Sequence, residues 1–148
     1  MDILVKVSGD LAESNEFYDW LASIDSFENK LFVLCGGGTL ITKELNYQKI
    51  PFEFGPAGRE ISSVRGKVLA KYILEKQKYI IETRSKWRGL VISVLMPFIH
   101  VGDKLCHLNA DDYALALYPN FDKIYIVTVR GRAKTFPEKF KKIEVVCL

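Results

Sequence analysis

Residues Leu31-Phe32-Val33-Leu34-Cys35 form an unbroken apolar run, and three consecutive glycines, Gly36-Gly37-Gly38, stop it. A strand with one wet face alternates polar and apolar residues, so a short continuous run is what a parallel strand covered on both faces looks like. Such a strand demands helices on both sides of its sheet and enough apolar residues to fill two cores. With 148 residues, 49% of them hydrophobic, the chain can supply both within one domain spanning residues 1–148.

The rest of the chain repeats this rhythm. Residues 3 to 7 read as a first strand that turns at Ser8-Gly9-Asp10 into a helix from Leu11 to about Ser23, where Leu11, Phe17, Leu21 and Ile24 recur at helical spacing. Thr39 is placed to cap a helix over residues 39 to 46, and Pro51 to Gly58 reads as an irregular loop that faces a ligand. Arg59 to Lys78 has a helical pattern, with Val64, Val68, Leu69, Tyr72 and Ile73 near one stripe and Gly66 either a weak point or a close-packing site. Leu90 to Met96 is a third strand, residues 111 to 118 a short helix, Lys123 to Thr128 a fourth strand, and residues 143 to 147 can add another. Strands separated by helices predict an α/β fold, a three-layer sandwich with a mainly parallel central sheet and ligands at the carboxyl ends of its strands.

Composition removes several classes of partner. A net charge of +3, with 26% charged residues, gives no basic stripe for a nucleic-acid backbone. The segment from Met1 to Lys6 enters a strand pattern at once, without the leader of a secreted protein, and no apolar stretch is long enough for a membrane. Cys35, Cys106 and Cys147 are odd in number, lack zinc-site spacing and lie in or beside apolar runs, so reduced, mostly buried thiols and a cytoplasmic location are expected. Lys134, Lys139, Lys141 and Lys142 read either as a solvated face or as a local anion-attracting surface.

Two glycine loops carry the candidate chemistry. Glycines just past a strand let backbone approach a phosphate, and the next helix offers unpaired N–H groups at its positive end. In Lys6-Val7-Ser8-Gly9-Asp10, Lys6 can reach phosphoryl oxygens while Ser8 and Gly9 offer hydroxyl and backbone donors; Gly36-Gly37-Gly38 can wrap a phosphate or a carboxylate. Neither loop has Walker A spacing or a dinucleotide fingerprint. Farther on, Leu108-Asn109-Ala110-Asp111-Asp112 opens a helix, so Asn109 or Asp111 caps it or a carboxylate there holds an active-site lysine. Arg59, directly after the Pro/Gly loop, can steer an anion or simply sit near a helix start. His100 and His107 have no partner that would make a metal ligand or general base, and no metal site is assigned.

In this order the segments resemble the amino-acid kinase family, which includes acetylglutamate, aspartate, carbamate, uridylate and isopentenyl phosphate kinases. Lys6-Val7-Ser8-Gly9-Asp10-Leu11 is similar to the opening K-x-G-G-S-L, and Phe32 through Ile41 to V-V-V-x-G-G-G-x-x-I. Pro97 through Ala114 is similar to P-x-x-x-x-x-G-x-x-x-N-I-N-A-D-x-x-A, and Lys123 through Gly131 resembles L-I-x-L-T-D-V-x-G-V with one residue and the aspartate missing. The resemblance covers roughly residues 3 to 137.

It implies a carbamate-kinase-like sandwich that transfers a phosphoryl group from ATP, with Mg2+, to a carboxylate, carbamate or phosphate acceptor. Lys6 and Asp111 would be catalytic, the second organising the lysines. Ser8, Gly9, Gly36, Gly37 and Gly38 would bind phosphate, Arg59 and Asn109 the substrate, and Thr128 and Gly131 the nucleotide. Family members continue into an ATP-binding half with a second lysine, so the chain, ending at Leu148, reads as a shortened member. The alternative is a non-catalytic small-anion binding or regulatory protein derived from the fold. Partners implied are a small anionic metabolite and a second copy of the chain, through the helix at Arg59 to Lys78.

Overall fold

The apolar runs pair side by side, and the glycine turns send the chain away from the sheet at one end. The computed structural model describes residues 1–148. Strand β1 (Asp2–Val7) passes through a 3-10 turn at Gly9–Leu11 to helix α1 (Asn15–Ile24), and β2 (Lys30–Cys35) leads to α2 (Gly38–Tyr47). A small hairpin, β3 (Glu53–Gly55) and β4 (Gly58–Glu60), precedes the long helix α3 (Val64–Trp87). Then come β5 (Ile92–Leu95), a second hairpin of β6 (Phe98–Val101) and β7 (Lys104–His107), helix α4 (Ala110–Leu117), β8 (Lys123–Thr128) and β9 (Ile143–Cys147).

Five strands make the central sheet in the order β5-β2-β1-β8-β9, every neighbouring pair parallel. Alternate residues of each strand point to opposite faces. Ile3, Val5 and Val7 of β1 join Leu31, Val33 and Cys35 of β2 in a core with Phe17 and Leu21 of α1, Ile41 of α2 and Leu74 of α3. Leu4, Leu34, Ile124 and Ile126 face the other way and pack with Ala114 of α4. The chain is therefore an α/β fold of three layers. Each buried Leu or Ile contributes roughly 1.5–3 kcal/mol, against about 0–1 kcal/mol for an exposed ion pair, so these two cores rather than surface charge hold the sheet. Lys6 shares the parity of Leu4, and the strand period thus drives a lysine into the layer under α4.

Several boundaries differ from expectation. Residues 9 to 11 take the 3-10 turn, so α1 begins only at Asn15. Residues 53 to 60, expected as an irregular loop running into a helix, are the β3–β4 hairpin, and α3 starts at Val64, where Ser63 accepts a hydrogen bond from the Gly66 N–H. The helix runs on to Trp87 because its buried stripe is Gly66, Ala70, Leu74, Gln77, Ile81 and Ser85, not the stripe of larger residues. Val64, Val68 and Tyr72 are instead 77%, 54% and 58% exposed. Gly66 is a close-packing site, since a Cβ there would stand 2.5 Å from Ile61 Cγ2. The β6–β7 hairpin has no counterpart in the sequence reading.

All three thiols are free, but only Cys35 is fully buried; Cys147 is exposed. Burial pushes the Cys35 thiol up to about 12, which leaves it protonated and inert. No helix is long and apolar enough to cross a membrane.

Candidate functional site

At the carboxyl ends of β1 and β2 the two glycine loops stack on each other. A Cβ on Gly9 would lie 2.6 Å from the Gly36 carbonyl oxygen, so only glycine allows that approach, and one on Gly36 would lie 3.1 Å from the Val7 carbonyl oxygen, a tight contact that backbone would have to ease. Gly38 differs: a Cβ there would meet nothing within 4 Å. Its missing side chain serves the space in front of it, a cavity of about 270 Å3.

Nine of the eleven residues assigned from the sequence line that cavity: Lys6, Ser8, Gly9, Gly36, Gly37, Gly38, Arg59, Asn109 and Asp111. Thr128 and Gly131 do not. Thr128 is fully buried at the end of β8 with its hydroxyl oxygen unpartnered, and Gly131 turns the following loop with a φ of 81°. The N–H of Ser8 is spent on Val127 O at 2.9 Å, and that of Gly36 on Val7 O at 3.0 Å. Sheet pairing takes those donors first. The Ser8 hydroxyl, facing the cavity, is only partly free, because Arg132 donates to it at 3.4 Å.

Helix α2 opens at the cavity with Gly37 as its cap residue and no side chain bonded to its first N–H groups. Thr39, the expected cap, instead donates to Asp10 Oδ2 at 3.2 Å. Helix α4 also opens there, but Asn109 Oδ1 already accepts from the N–H groups of Asp111 and Asp112 at 2.9 and 3.1 Å. Asn109 is the cap, and its amide edge still faces the cavity. The uncapped positive end available to an anion is therefore that of α2.

Asp111 joins two lysines. Its Oδ1 lies 2.9 Å from Lys6 Nζ without a well-aligned hydrogen bond, and its Oδ2 accepts from Lys134 Nζ. Burial holds the Lys6 ammonium below its usual pKa; Asp111 opposes that, and Lys134 adds to it. Burial would raise the Asp111 carboxyl, yet the charge of Lys6 and the hydrogen bond and charge of Lys134 outweigh it and hold it below the usual carboxylate range. Two ammonium groups on one carboxylate leave a positive charge uncompensated beside the glycine loops.

Two cations of this site come from the loop after β8: Arg132, unmarked by any motif, and Lys134, one of the four lysines that read as a solvated face or a local anion-attracting surface. Arg132 reaches Ser8 Oγ at 3.4 Å and Asp10 Oδ2 at 3.3 Å, and Lys134, grouped with a surface cluster, is the partner of Asp111. The signal was the basic Arg130-Gly131-Arg132 following a parallel strand, at the sheet end where the glycine loops already lay. Lys139 and Lys142 lie over aromatic rings outside the cavity, at 5.2 Å from Phe140 and 5.0 Å from Tyr118.

Arg59 projects from β4 between Phe52 and Phe54, its guanidinium carbon 5.8 and 5.3 Å from their ring centres. It donates to Gly38 O at 2.7 Å and Thr42 Oγ1 at 2.6 Å, its Nε is buried without a partner, and no carboxylate pairs with it. His107, in the wall, is held neutral by burial against a bond to Lys67 O at 2.8 Å. The cavity thus gathers four cations, Lys6, Arg59, Arg132 and Lys134, against Asp10 and Asp111. No group of three or more His, Cys, Asp or Glu side chains could cage a metal ion.

No family model matches the chain, and no curated protein matches it either. Solved structures do. The smu.665 protein of Streptococcus mutans UA159 superimposes with a TM-score of 0.75 at 16% identity, over 92% of this chain and 76% of that one. The N-acetylglutamate synthase of Neisseria gonorrhoeae, solved with coenzyme A and L-arginine, superimposes with a TM-score of 0.68 at 11% identity, over 93% of this chain and 45% of that one. At these identities the likeness is one of fold.

Proposed function

We propose that the cavity holds a phosphoryl group of a small metabolite and that the chain is a phosphotransferase of the amino-acid kinase type. The observation that carries this reading is Asp111 set between Lys6 and Lys134 at the mouth of a glycine cradle. Phosphoryl transfer asks little covalent chemistry of a protein; it asks that donor, acceptor and charge be held in place. Lys6 and Lys134 neutralise the oxygens of the group in transit, the open end of α2 adds its N–H donors, and Asp111 keeps the two ammonium groups apart and aimed. Lys134 would fill the place of the second lysine that the family's longer members carry. Arg59 and Asn109 would hold a carboxylate, carbamate or phosphate acceptor. ATP is the proposed donor. Magnesium would enter on the nucleotide's own phosphates, because Asp10 and Asp111 are already engaged by protein cations.

A second reading is a non-catalytic binder of one small anion. It is favoured by the cavity of about 270 Å3, small for a nucleotide together with an acceptor, and by Thr128 and Gly131 lying outside it. Val64, Val68 and Tyr72 form an exposed apolar stripe on α3, and a homodimer through that face is part of the proposal.

Thermal unfolding with Mg-ATP, ADP and inorganic phosphate, followed by a phosphate-transfer assay over carboxylate, carbamate and phosphate acceptors, separates the readings. A midpoint raised by Mg-ATP and lost in Lys6→Ala, with transfer to an acceptor, supports the kinase. A response to phosphate without response to nucleotide supports the binder. No response to any of them overturns both.

A further inference from the structure

We propose that Arg132 is a ligand-contacting residue of this cavity, with Asp10 as the internal anion it binds until a phosphoryl group arrives; this rests on the phosphoryl-binding reading above. The geometry is that of a guanidinium parked on the site's own edge. Arg132 is about half exposed, with its side chain at 47%, yet its two terminal nitrogens reach inward to Ser8 Oγ at 3.4 Å and Asp10 Oδ2 at 3.3 Å. Both distances are long for charge-assisted bonds, which run about 2.7–2.9 Å, so Arg132 is held loosely and can be recruited by a stronger anion.

Asp10 is not lost when that happens, because Thr39 Oγ1 also donates to it at 3.2 Å from the start of α2. The same carboxylate therefore ties the first glycine loop to α2 and keeps Arg132 beside Ser8 and Gly9. Two residues further on, Lys134 fastens the loop to Asp111 on the other side. Lys6, Arg132 and Lys134 thus come from two elements to one patch of the cavity wall.

That layout sets a preference among ligands. A carboxylate offers two coplanar oxygens and one charge, whereas a phosphoryl group offers three oxygens and close to two charges. Three cations, one of them a planar fork that grips two oxygens, match the second better. Arg132 accordingly makes the subsite select phosphoryl over carboxylate.

Opposite signs in two variants test this. Affinities for inorganic phosphate, pyrophosphate and acetate are measured by calorimetry on the full chain and on Arg132→Ala, Arg132→Lys, Asp10→Asn and Lys76→Ala, the last removing an exposed charge of α3. Arg132→Ala is expected to weaken phosphate or pyrophosphate binding about tenfold or more, as for one lost charge-assisted bond. Acetate should change far less, Arg132→Lys should fall between, and Lys76→Ala should not matter. Asp10→Asn, which keeps an acceptor for Thr39 but removes the competing charge, is expected to tighten phosphate binding. A purely structural bridge would give loss in both variants, or in neither, and would overturn the assignment. Equal phosphate affinity in the wild type and Arg132→Ala overturns the role of Arg132 while leaving the phosphoryl site intact. A wild type that binds neither phosphate nor pyrophosphate overturns the site as well.

Discussion

The ammonium of Lys6 lies 2.9 Å from the carboxylate of Asp111, tying the end of the first strand to the first turn of α4. Lys6 is only 7% exposed, so it is stable as a cation there mainly because Asp111 faces it. Removing one partner of a fully buried pair costs roughly 3–5 kcal/mol. Asp111 keeps 27% of its side chain exposed, and about 2 kcal/mol is the expected loss for Asp111→Ala in denaturant unfolding. Lys6→Met combined with Asp111→Ala removes the stranded charge and should recover part of that loss. A double variant no more stable than the single one would show that the lysine is not held by this carboxylate.

Acid should loosen the fold in two stages. His107 has its pKa lowered by burial, so in moderately acidic solution the unfolded chain takes a proton there that the native state refuses. Stability therefore falls as pH drops below about 6.5, the unperturbed value. Asp111 has its carboxyl held down by Lys6 and Lys134, so its contribution is present above the unfolded value of about 3.9 and is lost as pH falls through its native one. Thermal midpoints between pH 8 and pH 3 should decline in both windows. In His107→Gln, which keeps a side-chain donor for Lys67 O, the first decline should disappear.

How much of this was readable in the sequence follows from how local each signal is. The run at Leu31 to Cys35, the strand from Lys123 to Thr128 and both glycine loops were visible because burial on two faces and close backbone approach act on consecutive residues. The true stripe of α3 was not, because its buried side includes Gln77 and Ser85 while Val64, Val68 and Tyr72 stand in solvent; pattern counts follow residue size and miss polar residues that pack. The β3–β4 and β6–β7 hairpins are only three and four residues per strand, too short for period-two alternation to declare itself. Lys6 stands out beside a glycine turn at a strand end, and Asn109 and Asp111 at a helix start, positions that the family resemblance reinforces, but Arg132 and Lys134 reach the site only because β8 sits beside β1 in the folded sheet.

The two glycine positions predict contrasting variants. Gly9→Ala drives a methyl group onto the Gly36 carbonyl, where backbone must move, and should cost about 2 kcal/mol with binding and stability lost together. Gly38→Ala meets no protein atom within 4 Å and removes a flexible residue from the first turn of α2. Its unfolding midpoint should hold or rise slightly, while phosphate affinity falls because the methyl occupies ligand space. Thermal unfolding with and without phosphate reads both effects. Unchanged phosphate binding in Gly38→Ala would mean that the ligand does not approach α2.

Arg59 offers the clearest separation of binding from stability. A partly buried guanidinium with no carboxylate partner keeps a desolvation cost that its bonds to Gly38 O and Thr42 Oγ1 and its place between two phenyl rings only partly offset, and burial accordingly lowers its pKa. Arg59→Met keeps the apolar stem between Phe52 and Phe54 and removes the charge. The change in unfolding free energy should stay within about 1 kcal/mol, because loss of the two bonds and relief of desolvation act in opposite directions. Affinity for a carboxylate- or phosphate-bearing acceptor should fall about tenfold, the worth of one charge-assisted contact. A marked loss of stability with unchanged anion affinity would make Arg59 a strut for the β3–β4 hairpin and move acceptor binding elsewhere in the cavity.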